Sequence, residues 1–268
     1  MQIIDLRKRL TIEINQCINN IIFADCLDFM RMLPDKSIDA IITSPPYNLL
    51  NSSGNGFKPH NDKSRWKNAK IKQGYANFND NMPYLKYIEW QKSVLKECYR
   101  LLKDDGVIFY NNKNRVQKGI LENRADIIKD LPLRQIITWQ RSGGMNFNDG
   151  YFLPTTEQIY MIAKKDFKLV KGANKFTDVW KIPQARNNPH PAPFPQELTD
   201  RIISSIDKKL ILDPFGGSGT TALSCLKYNR DFIIVDNAFD YCDMALKRIL
   251  KYKPVNIFEW FKSFRKRA

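Results

Sequence analysis

Lys209-Leu-Ile-Leu-Asp-Pro-Phe-Gly-Gly-Ser-Gly-Thr-Thr221 reads as a short apolar strand that runs into a glycine-rich turn and then into a helix. Glycines let a backbone approach a ligand closely, and the start of a helix offers free N–H groups. The next apolar stretch, Phe232-Ile-Ile-Val-Asp236, ends in an acid, the place from which doubly wound sheets hold a ribose. Gly216-Gly217-Ser218-Gly219 departs from the G-x-G-x-x-G dinucleotide fingerprint, and no Gly-Lys-Ser/Thr follows to make a phosphate loop. Strand, turn, helix, strand and acid together predict a site for a nucleoside-bearing cofactor.

Outward from this unit the chain alternates β-branched strands with amphipathic helices, the pattern of a parallel α/β sheet. Strands are predicted at Asn20–Ala24, Ile38–Thr43, Val107–Asn111, Gln135–Trp139, Gln158–Ala163, Leu210–Leu212 and Phe232–Val235. Helices are predicted at Tyr84–Leu102, Pro195–Ile206 and Thr220–Tyr228, the first between Pro83 and Asp105-Gly106. The expected fold class is therefore α/β: a doubly wound, mostly parallel, Rossmann-like sheet in one domain over 1–268. Two segments break the alternation. Residues 51–81 are polar, basic and too long for an ordinary connection, and 142–183 opens with the turn-rich Ser142-Gly-Gly-Met-Asn-Phe-Asn-Asp-Gly150.

A second motif lies upstream. Asp39-Ala-Ile-Ile-Thr-Ser-Pro-Pro-Tyr-Asn48 is a strand that stops in a double proline. Proline fixes φ, restricts the residue before it and removes an N–H. Ser44-Pro45-Pro46 therefore makes a stiff extended turn that presents the Ser44 side chain and backbone carbonyls as acceptors, with the Tyr47 ring beside them.

Charge narrows the partner. The 268 residues carry 43 Lys+Arg against 28 Asp+Glu, a net charge of +15. Lys58, Lys63, Arg65, Lys67, Lys70 and Lys72, facing only Asp62, stand in one polar stretch, and eight more basic residues fall within 247–268. Trp66, Tyr75, Phe258, Trp260 and Phe264 are interleaved with them, and clustered cations with aromatics suit phosphate backbones and bases. The 43% apolar content suffices for a buried core and excludes a disordered or collagen-like chain. No apolar run approaches the roughly 18 residues of a membrane helix, and the opening residues do not read as a secretory signal, so the expected location is cytoplasmic. The five cysteines and two histidines form neither a disulfide framework nor a metal site.

Taken together, Ile42-Thr-Ser-Pro-Pro-Tyr47 and Asp213-Pro-Phe-Gly-Gly-Ser-Gly-Thr-Thr221 resemble the DNA amino-methyltransferases, which use S-adenosylmethionine to methylate exocyclic amines of bases. The order, Ser-Pro-Pro-Tyr motif first and glycine turn near the C-terminus, is similar to the β-class permutation of that family. The resemblance covers roughly Asn20 to Leu250. It extends to Asp25-Cys26, similar to the family's acid near the cofactor's adenine. It also takes in Asn188-Pro-His-Pro-Ala-Pro-Phe-Pro-Gln-Glu-Leu198, similar to the segment lining the methionine end.

The resemblance implies that Asp25, Cys26, His190, Pro191, Phe194, Asp213, Pro214, Phe215, Gly216, Gly217, Ser218, Gly219, Thr220 and Asp236 form the cofactor site. It likewise implies a catalytic set of Ser44, Pro45, Pro46 and Tyr47. An exocyclic amine is a poor nucleophile, and acceptors at Ser44 and the adjoining proline carbonyl would turn its lone pair towards the methyl donor for direct, in-line transfer. The base would leave the duplex and stack on Tyr47. In the family Ser-Pro-Pro-Tyr goes mainly with N4 of cytosine, so cytosine is favoured; N6 of adenine stays open. Two other readings also stay open: a methyltransferase acting on RNA or a protein amide, and a DNA-binding protein with a decayed site. The implied partner is double-stranded DNA, approached by the six basic residues of 58–72 and by Arg141, with 51–81 and 142–183 as recognition segments and 252–268 as a basic tail. A separate cognate endonuclease and a homodimer are compatible with this.

Overall fold

The computed structural model describes residues 1–9, 11–48, 77–144, 149–185 and 194–252. In chain order the elements are β1 (Ile3–Asp5), α1 (Ile14–Cys17), β2 (Asn20–Phe23), α2 (Cys26–Met32), β3 (Ile38–Thr43), α3 (Tyr84–Leu101), β4 (Leu102–Asn112), β5 (Arg115–Gln117), β6 (Ile120–Glu122), β7 (Leu133–Gln140), β8 (Thr156–Ala163), β9 (Val179–Lys181), α4 (Gln196–Ser204), β10 (Leu210–Asp213), α5 (Thr220–Lys227), β11 (Asp231–Asp236) and α6 (Phe239–Lys251). All seven predicted strands and three predicted helices are present. β5 and β6 form a small separate hairpin.

The main sheet has nine strands in the order β1-β2-β11-β10-β3-β4-β8-β7-β9. Six of its eight pairings are parallel, and only β8 runs against its neighbours β4 and β7. Both faces are covered, which is why the central strands read as continuous apolar runs. Alternate residues divide between the two faces: Leu210, Leu212, Ile233 and Val235 pack with α1, α2 and α3. Ile211, Phe232 and Ile234 pack with α4, α5 and α6 on the other side.

The strand order reverses between β10 and β3. From β10 the chain crosses through α5 to β11 on one side; from β3 it crosses through α3 to β4 on the other. Helices leaving in opposite directions open a crevice beyond the C-terminal ends of the two strands, and open α/β sheets place their ligands there. The Ser-Pro-Pro-Tyr turn leaves β3 at that point and the glycine turn leaves β10 beside it.

Two expectations are corrected. Much of 142–183 is scaffold: β8 is a central strand with Ile159, Tyr160 and Ile162 in the core, and β9 adds a sheet edge with Trp180 buried. Its surface is left to the connecting loops and to Val179 and Lys181 of the edge strand β9. Arg141, placed by sequence on a DNA-facing surface, turns inward instead. Its Nη2 donates to the Pro154 carbonyl (2.6 Å), its Nε lies 3.6 Å from Glu157 Oε1, and its backbone N–H donates to the Thr155 carbonyl (2.8 Å). Lys58, Lys63, Arg65, Lys67, Lys70, Lys72, His190, Pro191 and the tail beyond Tyr252 lie outside the described residues. Among the described residues no helix is long and apolar enough to cross a membrane.

Candidate active site

The glycine turn is dictated by close packing. A Cβ on Gly216 would lie 2.0 Å from Ile234 Cγ2, so only glycine fits against β11 there. Gly219 caps α5 at φ +75°, where a side chain would be strained and would press on Ala245. Asp213, at the end of β10, does not face the crevice. Its Oδ1 accepts from Thr43 Oγ1 (2.8 Å) and from the Phe215 N–H (3.1 Å), and its Oδ2 accepts from Thr221 Oγ1 (2.6 Å). Burial pushes its carboxyl up to about 6, with these donors pulling the other way. Asp213 therefore fixes the turn and ties it to the end of β3. Arg248 of α6 adds a further tie, donating to the carbonyl and hydroxyl of Ser218.

Asp236 bridges the turn to the second strand. Its Oδ2 accepts from the Gly217 N–H (2.9 Å) and its Oδ1 from the Ala238 N–H (2.9 Å). Desolvation raises this carboxyl to about 6, against the pull of those backbone donors.

A solvent-open cleft of about 530 Å³ lies over these elements, with Asp25, Cys26, Ser44, Pro46, Pro214, Phe215, Gly217 and Asp236 in its wall. Eight residues expected from sequence thus meet in one crevice. Asp25 reaches it as the cap of α2, accepting from the N–H groups of Leu27 (2.8 Å) and Asp28 (3.2 Å). Gly216, Ser218 and Gly219 of the turn and Thr220 at the start of α5 are not in the cleft wall, and Phe194 packs against the core beside α4. The cleft gains further residues that sequence did not single out: Phe78, Trp90, Asn237 and Tyr241. Trp90 stacks between Phe78 (4.9 Å) and Phe215 (5.7 Å, edge-on), and such an aromatic wall attracts a cation. A carboxylate, a glycine turn and an aromatic wall fit a nucleoside carrying a sulfonium. Cys26 is held as a thiol, its pKa pushed well up by burial, and all five cysteines are buried and unpaired.

The Ser-Pro-Pro-Tyr turn closes the other side of the cleft. Tyr87 of α3 donates to the Pro46 carbonyl (2.9 Å) and so ties the turn to that helix. Asn48, in left-handed backbone, exchanges hydrogen bonds with Met82 through its side chain (2.7 and 2.8 Å). Tyr47 is 8% exposed and its hydroxyl lies in a cluster that sequence missed. Ser44 Oγ stands 2.6 Å from Tyr47 Oη, which donates to Glu157 Oε2 (3.0 Å). Asn111 Nδ2 donates to Tyr47 Oη (2.6 Å) and to Glu157 Oε2 (2.9 Å). The available signal was a polar residue at the end of an otherwise apolar strand, Asn111 in β4 and Glu157 in β8.

A sequence model of the DNA methylase family, covering N6 and N4 methyltransferases, matches residues 38–247. The chain is 29% identical to the type II methyltransferase M2.MboI of Moraxella bovis over 92% of its own length and 93% of that protein's. It is 28% identical to the type II methyltransferase M.BglII of Bacillus subtilis, over 89% of its length and 71% of the other's. Among solved structures it is similar to PvuII DNA methyltransferase, described as cytosine-N4-specific, at TM-score 0.67 and 18% identity over 88% of this chain and 87% of that one. A DNA modification methylase of Thermus thermophilus complexed with S-adenosyl-L-methionine aligns at TM-score 0.61 and 19% identity, over 87% and 93% of the two chains. The chain therefore belongs to the S-adenosylmethionine-dependent DNA amino-methyltransferases, with its Ser-Pro-Pro-Tyr turn and its glycine turn meeting at the reversal of the sheet.

Proposed function

We propose that the protein transfers a methyl group from S-adenosylmethionine to the exocyclic N4 of cytosine in double-stranded DNA, acting on a base turned out of the helix. The observation that carries this reading is the position of Ser44, which opens from the end of β3 onto the same cleft as Asp236 and Phe215. When bound there, S-adenosylmethionine supplies an electrophilic methyl group. Asp236 offers its carboxylate to the ribose hydroxyls, and the walls of Phe78, Trp90 and Phe215 border the cation. Ser44 Oγ and the Pro45 carbonyl accept the two amino protons, drawing the amine's lone pair out of conjugation and towards the methyl carbon. No covalent enzyme intermediate is needed. A serine at the head of the motif favours the cytosine amine, and the similarity to PvuII DNA methyltransferase, described as cytosine-N4-specific, agrees with it. The relatives named as type II methyltransferases fit this reading, and a separate cognate endonuclease and a place in the cytoplasm are part of the proposal. The basic residues of 58–72 and of the tail supply phosphate contacts.

The test is transfer of labelled methyl from S-adenosylmethionine to duplex DNA in competition with RNA and with protein. The expected result is incorporation into DNA, unaffected by the competitors and abolished by Ser44→Ala. Preferential labelling of RNA or protein would overturn the substrate, and equal labelling by Ser44→Ala would remove Ser44 from the site.

A further inference from the structure

The reaction leaves a proton to dispose of. As the methyl carbon bonds to the amine and the sulfur takes back its electron pair, positive charge passes to nitrogen, which must then shed an N–H proton. Two hydrogen-bonded groups lead away from Ser44 into the protein. Ser44 Oγ lies 2.6 Å from Tyr47 Oη, and Tyr47 Oη lies 3.0 Å from Glu157 Oε2, a side chain 7% exposed.

The direction of these bonds follows from charge. An ionised carboxylate only accepts, so Tyr47 donates its single proton to Glu157. Asn111 Nδ2 also donates to Tyr47 Oη and Glu157 Oε2; turning the amide over would set its oxygen against the carboxylate. With its proton committed to Glu157, Tyr47 can only accept from Ser44. The Ser44 hydroxyl proton is thereby held inward, and its oxygen, which Asn111 Nδ2 approaches at 3.5 Å, presents a lone pair to the target amine. In the main sheet β8 runs against its neighbours, and this brings its first residues, Glu157 among them, to the C-terminal ends of β3 and β4.

Resting on the methyltransferase reading above, we infer that Glu157 is a positioning residue and proton sink, acting on the target amine through Tyr47 and Ser44. The amine's proton passes to Ser44 Oγ as the serine proton passes to Tyr47 Oη and the tyrosine proton to Glu157 Oε2. Each oxygen on the path gains one proton and gives one up, except the carboxylate, which ends neutral and returns its proton to water once product leaves. Arg141 Nε stands 3.6 Å from the second carboxylate oxygen, Glu157 Oε1. Of the other titratable groups around the carboxylate, Lys113 lies beyond the end of β4, its pKa lowered to about 8, mainly by burial, with Arg141 adding to the shift and Glu157 opposing it.

Glu157→Gln and Tyr47→Phe, made singly and together in the full chain, test this by single-turnover methyl transfer to duplex DNA and by the dissociation constant for S-adenosylmethionine. Each single variant is expected to lose on the order of 100-fold in transfer rate, the scale of positioned proton transfer, with cofactor affinity unchanged. The double variant should be no slower than the slower single one, since both break the same chain. Full rate in either single variant, or losses that multiply in the double, would overturn the inference. So would a loss of cofactor affinity that accounts for the rate, the mark of a merely structural role. A wild-type chain that methylates no DNA would refute the underlying reading, and the inference with it.

Discussion

Thr43 Oγ1 donates to Asp213 Oδ1 at 2.8 Å, joining the last residue of β3 to the last residue of β10. These two strands carry the methyl-accepting turn and the cofactor turn, and this buried bond sets the separation between them. Thr43→Val leaves the Asp213 carboxylate short of one donor inside the core. We expect a loss of about 1–3 kcal/mol in stability, measured by denaturant unfolding, together with slower transfer at saturating cofactor. An unchanged rate would mean that the bond serves the fold alone.

Gly216→Ala should be more severe. The added methyl would overlap Ile234 Cγ2 at 2.0 Å, so the turn must move away from β11 and carry Gly217 and its bond to Asp236 with it. Affinity for S-adenosylmethionine, measured by calorimetry, is expected to fall at least about 10-fold, the scale of one lost charge-assisted hydrogen bond. Wild-type affinity would show that the turn is not part of the cofactor site.

Asp236 links pH to both binding and stability. Its folded pKa of about 6 stands above the ordinary 3.8, so the folded chain takes up a proton on this group at a higher pH than the unfolded chain does. The cost of burying the ionised form is therefore fully present above pH 6 and fades as pH falls from 6 towards 4. Asp236→Asn removes that cost, so its Tm relative to wild type should be more favourable at pH 7.5 than at pH 5. Cofactor affinity runs the other way: it should weaken in wild type as pH drops through 6 and the acceptor is protonated, while the Asn variant binds weakly at every pH. An equal pH response in the two proteins would take Asp236 out of the site.

Deleting residues 254–268 removes Lys262, Arg265, Lys266 and Arg267 against Glu259. Affinity for duplex DNA should fall and its dependence on salt should become shallower, since fewer counterions are released. Titration by fluorescence anisotropy at several salt concentrations reads both, and an unaltered slope would leave the tail without a role in phosphate binding.

Much of this architecture was legible in the sequence because the deciding segments obey strong local rules. The apolar strands around Asp213 and Asp236, the glycine turn and the double proline each permit few conformations, and their order placed both turns at strand ends. The direction of β8 was not legible, since a period of two says nothing about which way a strand runs. Its reversal is what carries Glu157 to Ser44. Helix α6 was hidden because Lys247, Arg248 and Lys251 read as tail charge, while its buried stripe is the modest set Cys242, Ala245 and Ile249. Trp90 and Phe78 carried no signal beyond ordinary amphipathic spacing and a polar loop; only the packing of α3 against the glycine turn turns them into a cleft wall.

The central claim is that Ser44, opening on the cofactor cleft, holds the N4 amine of cytosine. Nucleoside mass spectrometry of mixed-sequence duplex DNA, incubated with the purified protein and S-adenosylmethionine, tests it most directly. The account predicts N4-methylcytosine, absent with Ser44→Ala; N6-methyladenine in its place would contradict the assignment of the base, and no methylated base of either kind would contradict the function itself.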